Sequence, residues 1–381
     1  MAEVSTKQRA PKQVDLPKQA AITIVGGGIA GLASAWQLSE LGVRDVVLLE
    51  AESELATHAS ARNAGIFLPL ETSLTAVWLA SRSRDLLDAR MGTSWLSALG
   101  VCLLAGHSDA LEELKFTARR LSVYHERWGK EGLAKHLPAL SGSACVEALY
   151  LPLGGVIDTR LLLERLRQWA LAGGVHIATG ARVEAVELAR TRVAGVRLRD
   201  GRHLPSERVV LAAGAWAAEL GRTAGSPLAL TPHRRHLVQL RGEQLPGPQT
   251  PVVWRVDEPV YYRPEAGGIL ASPCDETPTE PGVPACDDSV VASLSAKLQQ
   301  LAPKLASAST VERGWACLRT VSSDGDLTVG PDGRVKGLYW CAGLGGRGMS
   351  CGTAAGELLA RTMLGLAHPL ARPLSPERFL S

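Results

Sequence analysis

No apolar run in this chain reaches the ~20 residues that a membrane-spanning helix needs; the longer ones, such as residues 209–220, fall short. The first 20 residues are polar and lack the apolar centre of a secretion signal, so a disordered arm is expected there. Charge of one sign is also lacking: 41 Lys and Arg against 38 Asp and Glu leave a net +3. That balance gives no nucleic-acid footprint. The seven cysteines (Cys102, Cys145, Cys274, Cys286, Cys317, Cys341 and Cys351) form no CxxC pair and no metal-ligand spacing. An odd, scattered set argues for a reducing compartment without a disulfide framework. No Ser/His/Asp set, paired-carboxylate motif or metal cluster stands out. A cytoplasmic protein is the expectation, and at 381 residues, 46% apolar, the chain can hold two domains or one large α/β unit with an inserted lobe.

Glycine, by contrast, is placed with purpose. Residues 21–50 read AITIVGGGIAGLASAWQLSELGVRDVVLLE: an apolar run, a glycine turn, a helix-like stretch, a second apolar run and an acid. This is the dinucleotide fingerprint in its full context. Gly26 permits the sharp exit from the strand, Gly28 lets a pyrophosphate approach the backbone, and Gly31 lets the helix pack close. The helix N-terminus offers unpaired N–H groups and partial positive charge to phosphates. Glu50 lies where a carboxylate accepts hydrogen bonds from a ribose, which disfavours a 2′-phosphate and argues against NADP.

Further along, residues 51–65 form a loop rich in small side chains, which allow a backbone to lie against a flat ligand. Residues 73–138 read as mostly helical, with a strand over 95–105. An amphipathic helix is expected over 159–172, then strands at 175–178, 181–187, 193–198 and 206–211. Residues 231–317 are strand-rich, interrupted by a proline-rich loop (273–285) and a helix (288–301). A last strand, 338–342, runs into GLGGRGM (343–349) and a helix over 352–364, so a second glycine turn closes the chain.

Four segments together resemble the D-amino-acid-oxidase-like superfamily of FAD-dependent oxidoreductases. They are the opening fingerprint, THASARNAG (57–65), VVLAAGAWAAELG (209–221) and GWACLRTVSSDGDLTVG…LYWCAGLGGRGMS (314–350). The pattern is that of the D-arginine dehydrogenase, glycine oxidase and sarcosine oxidase types, over roughly residues 20–365. The resemblance implies an α/β fold, a Rossmann-like FAD-binding domain with an inserted mixed-sheet substrate domain. The FAD-binding domain would comprise 21–72, 150–230 and 318–381, and the substrate domain 73–149 and 231–317.

It also implies roles for residues. Gly26, Gly28, Ala30, Gly31, Glu50 and Ala51 would hold the ADP half of FAD. The loop carrying His58, Ser60, Ala61, Arg62, Asn63 and Ala64 would cover the pyrophosphate and isoalloxazine. The Val183 backbone would meet the adenine, and Ala213, Gly214 and Trp216 would line the cofactor. Gly343, Gly345, Arg347, Gly348 and Met349 would pass beneath the ring, with N–H groups near its N1–C2=O edge.

For substrate, Arg319 matches the family arginine that grips an amino-acid carboxylate; a planar guanidinium can bind both oxygens. Tyr261 matches a tyrosine that covers the substrate, and strand alternation turns Tyr262 away. Gly346 and Ser350 would adjoin the same site. Glu71 falls where a relative has a lid tyrosine; it either binds a cationic group or caps the next helix. The acidic residue that selects basic side chains falls near Cys102, which argues against arginine as substrate. Cys317, two residues before Arg319, has the spacing of the covalent flavin anchor of the sarcosine-oxidase branch, with a buried inert thiol as the alternative. Arg347 and the pair Arg234-Arg235 add positive charge that either selects a second carboxylate or pairs with phosphates and protein carboxylates. The implied reaction is oxidation of a C–N bond by hydride transfer to flavin N5, giving an imine and then a 2-oxo acid. The donor would be an amino acid, D or glycine-like, and the acceptor O2 or a quinone-like compound. A secondary-amine oxidase, or a flavin-binding subunit of a larger complex, are the alternatives.

Overall fold

The computed structural model describes residues 15–243 and 245–380. The arm expected over 1–20 lies mostly outside the described residues; Ala20 already belongs to the first strand, β1 (Ala20–Val25). β1 leads through the glycine turn into α1 (Ile29–Glu40) and then β2 (Val46–Leu49). Both strands are parallel neighbours in an eight-stranded sheet. Its parallel part runs 176–178, β2, β1, 203–211, 338–342. The period of two in a strand sends alternate side chains to opposite faces. Ile22, Ile24, Val46, Leu48 and Val210 therefore enter one core, under α1 and the helices Thr159–Ala172 and Gly348–Met363. Val25, Val47, Leu49, Val209 and Leu211 enter the other, against the hairpin 183–198 and the helix Ala217–Thr223. Both faces are covered, which is why these strands read as unbroken apolar runs.

A second, nine-stranded sheet carries the rest of the site. Its longest pairing is antiparallel, between Leu230–Arg241 and Thr310–Ser322. The register sets His233 opposite Arg319 and Arg235 opposite Cys317. On Val260–Glu265, Tyr261 packs with Ala64, Leu237 and Leu270, while Tyr262 enters the core beneath the helix Asp288–Leu301.

Two expectations meet a different packing. Residues 73–138 are mostly helical, with the strand Val101–Ala105 inside the expected 95–105, but Glu126–Gly129, read as helical, is also a strand. The helix α2 (Leu74–Met91) was grouped by sequence with the substrate part. It buries Ala76, Leu79, Ala80 and Leu87 in the core shared by α1 and Gly348–Met363. Arg82 on α2 grips Glu357 of that last helix through two bonds of 2.7 and 2.6 Å. An apolar stripe specifies that a helix is covered, not which sheet covers it.

The end of the chain is tied back near the second glycine turn. Arg378 donates to Asp324 at 2.6 Å, and Ser322 Oγ donates to the same carboxylate at 2.9 Å. Burial alone would raise the Asp324 pKa, but these donors hold it at about 2. A depressed carboxyl contributes stability above its unfolded value of 3.8, which is lost as pH falls toward about 2. Asp324 is 43% exposed, so solvent screening reduces the effect. Asp324→Asn is expected to lower Tm by a few degrees at pH 7. The gap from the parent protein should narrow between pH 4 and pH 2 in a thermal-shift series; a pH-independent gap would contradict this.

Candidate active site

One cavity of about 1010 Å³ lies between the two sheets. At one side it is walled by Gly26, Gly28, Glu50 and Val183, at the other by Tyr261 and Arg319. Every cofactor and substrate residue expected from the sequence lines it except Gly31 and Ala61. Gly31 sits behind the turn: a Cβ there would lie 1.8 Å from the Gly26 carbonyl oxygen. Ala61 points to solvent.

Glu50 is buried, and its carboxylate is fixed by two backbone donors. Gly27 N–H donates at 2.7 Å and Glu52 N–H at 2.8 Å. The remaining lone pairs are open to a hydroxyl donor from the cavity. At the start of α1, Ser60 Oγ accepts from Ile29 N–H at 3.0 Å. The N-cap residue, Gly28, has no side chain to cap the helix, so the N–H groups of Ala30 and Gly31 are left for a ligand. The covering loop is held from both ends. Ala56 N–H donates to Gly27 at 3.1 Å, Gly65 N–H to Asn63 at 2.7 Å, and the Trp315 indole to the Arg62 carbonyl at 3.1 Å. His58 lies 4.8 Å from the Trp216 ring and 3.3 Å from Glu52.

The second glycine turn enters the long C-terminal helix Gly348–Met363. Gly345 N–H donates to the Thr320 carbonyl at 2.9 Å, which joins the turn to the strand bearing Arg319. Gly346 has a φ of +87°, and a Cβ on it would lie 2.8 Å from Arg319 Cζ. The backbone thus runs directly against the guanidinium.

The arginines of the site sort by partner. Arg347 donates to Glu71 at 2.5 Å and to the Gly325 carbonyl at 2.6 Å. Burial works against its charge, but Glu71 more than offsets this and raises its pKa. Glu71 is therefore engaged as a counter-ion, and Ser73 is the residue that caps α2. Arg234 pairs with Asp287 at 3.0 Å. Arg319, half-buried, has no hydrogen-bond or ion-pair partner among the described residues. Arg235 lines the same cavity and is almost wholly buried; among the described residues it pairs only with the exposed side chain of Glu276. Sequence reading gave Arg235 no separate place, although its register opposite Cys317 turns it inward beside Arg319.

The polar neighbours of these arginines are kept neutral. Burial pushes the Tyr261 phenol up to about 12, so it remains a hydroxyl. Burial likewise raises Cys317, with Arg319 and Arg235 pulling the other way. His236 is fully buried; its Nδ1 contacts Asp275 at 2.7 Å and its Nε2 accepts from Asp287 N–H at 3.0 Å. It serves the loop after residue 272 and does not line the cavity. Cys102, the position weighed against basic substrates, is buried in the core behind Tyr262.

The family model for FAD dependent oxidoreductases matches residues 21–362, and the chain belongs to that family. It is 29% identical over 383 residues to the mitochondrial pyruvate dehydrogenase phosphatase regulatory subunit of Mus musculus, covering 95% of this chain and 43% of that protein. It is 27% identical to the glycine oxidase of Geobacillus kaustophilus, covering 89% of this chain and 91% of the other. The chain thus spans less than half the length of some curated relatives and nearly all of others. The structure of L-proline dehydrogenase from P. horikoshii superposes with a TM-score of 0.87 at 21% identity, over 96% of this chain and 99% of that one. That likeness shows the fold.

FAD is the cofactor of this family, and the residues present fit it. The cradle is narrow at Gly28, where a Cβ would lie 3.0 Å from Ser60 Oγ. Glu50 supplies a fixed acceptor, α1 supplies unpaired N–H groups, and the cavity joins both to an unpaired cation. Gly28, Glu50, the 58–64 loop and the 343–349 turn would hold the group.

Proposed function

We propose that this chain oxidises the C–N bond of an amino acid, of D or glycine-like type, using FAD. The observation that carries this reading is Arg319, an arginine that faces a cofactor-sized cavity and has no counter-ion among the described residues. A half-buried guanidinium is costly unless an anion meets it. An amino-acid carboxylate supplies two oxygens in the matching fork. When bound, FAD would supply the hydride acceptor. The chain's own residues then bind and orient: Arg319 fixes the carboxylate, and Gly346 lets the backbone approach it. Tyr261, neutral and buried against Trp254 at 4.9 Å, closes the far wall and keeps it dry. No side chain is assigned as a proton acceptor; the amine would react in its neutral form, and the imine product would hydrolyse in water.

The test is anaerobic. Holoprotein mixed with D- and L-amino acids, glycine and sarcosine should lose its 450-nm absorbance with at least one of them, and admission of air reports the acceptor. Failure of every amine to bleach it would favour the second reading, a flavin-binding subunit without turnover. That reading is favoured by the relative that is a regulatory subunit. We read Cys317 as an inert thiol, because burial keeps it protonated and the thiolate is the nucleophilic form. Trichloroacetic acid precipitation should give a colourless pellet; a yellow pellet would establish covalent flavin instead.

A further inference from the structure

The cavity holds more positive charge than a simple amino acid can neutralise. Arg235 and Arg319 stand on adjacent antiparallel strands, diagonal to one another: Arg235 faces Cys317, two residues from Arg319. Directly opposed residues share a face, so both guanidinium groups belong to the same wall. Diagonal neighbours stand about 7–8 Å apart at the backbone, so the two side chains rise from neighbouring points of one wall and one small molecule with two carboxylates can meet both. Both arginines, with Tyr261 and Cys274, line one end of the cavity.

Arg235 is incompletely satisfied there. Its side chain is 4% exposed, and its Nε has no hydrogen-bond partner. Its one carboxylate contact among the described residues is with Glu276, which is itself 64% exposed. An ion pair with so exposed a partner contributes little, and Glu276 can swing into solvent at little cost to itself, leaving the buried Arg235 charge for a substrate carboxylate to meet. Burial first, and the Arg319 charge second, lower the Arg235 pKa, so the buried guanidinium is under electrostatic load. Of the other arginines weighed for a second carboxylate, Arg347 is matched by Glu71 and Arg234 by Asp287.

We propose that Arg235 is a second carboxylate site that determines specificity, and that the preferred substrate is an amine carrying two carboxylates. In the free protein Glu276 stands in for the distal carboxylate, and the substrate displaces it. The neutral Tyr261 hydroxyl and Cys274 thiol beside the pair add no competing negative charge. This rests on the reading of the chain as an amino-acid oxidoreductase, and adds the substrate class.

The test separates the two. Holoprotein would be assayed with aspartate and glutamate of both configurations and iminodiacetate, against glycine, alanine and sarcosine. The ratio of kcat/KM for the best dicarboxylic amine to that for the best monocarboxylic amine should exceed ~10. Arg235→Gln should cut that ratio at least tenfold, and Arg235→Lys should restore part of it. Glu276→Gln, a change at an exposed side chain, should raise it. A ratio below 1 in the parent protein, or an equal loss for both classes in Arg235→Gln, would overturn the proposal. So would loss of bound flavin from Arg235→Gln, which would place the arginine on the cofactor. If no amine is oxidised, titration of the flavin spectrum with succinate, malonate and acetate decides the point without turnover. Tighter binding of a dicarboxylate than of acetate, abolished in Arg235→Gln, upholds the two-anion site although the oxidoreductase reading has failed. No preference between them overturns the site itself.

Discussion

Arg319→Ala is expected to raise the KM for the amino acid by roughly 10²–10⁴-fold. Each charge-assisted bond to the carboxylate is worth ~1.5–3 kcal/mol, and two such bonds, at ~1.4 kcal/mol per tenfold, give that range. The loss should fall mainly on binding, because the arginine holds the carboxylate before and during the reaction alike. Cα will also be placed less well, so a smaller fall in kcat accompanies it. Arg319 has no hydrogen-bond or ion-pair partner among the described residues, so its removal breaks no ion pair there and the fold should tolerate it. The flavin spectrum and Tm therefore serve as controls within a few degrees of the parent. Arg319→Lys should recover only part of the loss, since an ammonium cannot make the bidentate fork. An unchanged KM in Arg319→Ala would remove the arginine from the substrate site.

The second large effect is expected at Gly31→Ala. The added Cβ would lie 1.8 Å from the Gly26 carbonyl oxygen, a backbone atom with no freedom to swing aside. α1 must then lift away from β1, and the turn between them opens. That turn positions Gly28, and Ile29 N–H on Ser60, so the cradle and the loop above it shift together. Overpacking of this kind costs about 1–3 kcal/mol in stability. The loss of cofactor should be larger, with purified protein nearly colourless and only weakly reconstituted by added FAD. Gly129→Ala is the control: a Cβ there meets nothing within 4 Å. If Gly31→Ala remained as yellow as the parent, the close packing of helix and strand would not be what shapes the cradle.

How much of this could be read without coordinates differs by element. The β1–α1–β2 unit was legible almost to the residue, because glycine spacing, apolar strands and the distal acid each report the same local geometry. The helices Thr159–Ala172 and Asp288–Leu301 were legible for a similar reason, a clear stripe between clean boundaries. α2 was recognisable as a helix but not by its partner, since its small apolar residues would suit either sheet. The residues around the cavity were nearly all named in advance, yet their partners were not. Glu71 and Arg347 are far apart in sequence, and only folding shows that they neutralise each other. Arg235 was equally hidden. Its meaning depends on the register with Thr310–Ser322, and a strand's own pattern does not fix which residue it faces.

The central claim is that the cavity joins a bound FAD to a carboxylate held by Arg319. The most direct test pairs each amino acid with its carboxylate-free amine in the anaerobic bleaching experiment: glycine with methylamine, sarcosine with dimethylamine, aspartate with ethylamine. The account predicts that the 450-nm absorbance falls with the carboxylate-bearing member and stays within error of the blank with the other. Equal bleaching by the amines that lack a carboxylate, or bleaching by NADH and by no amine, would contradict it.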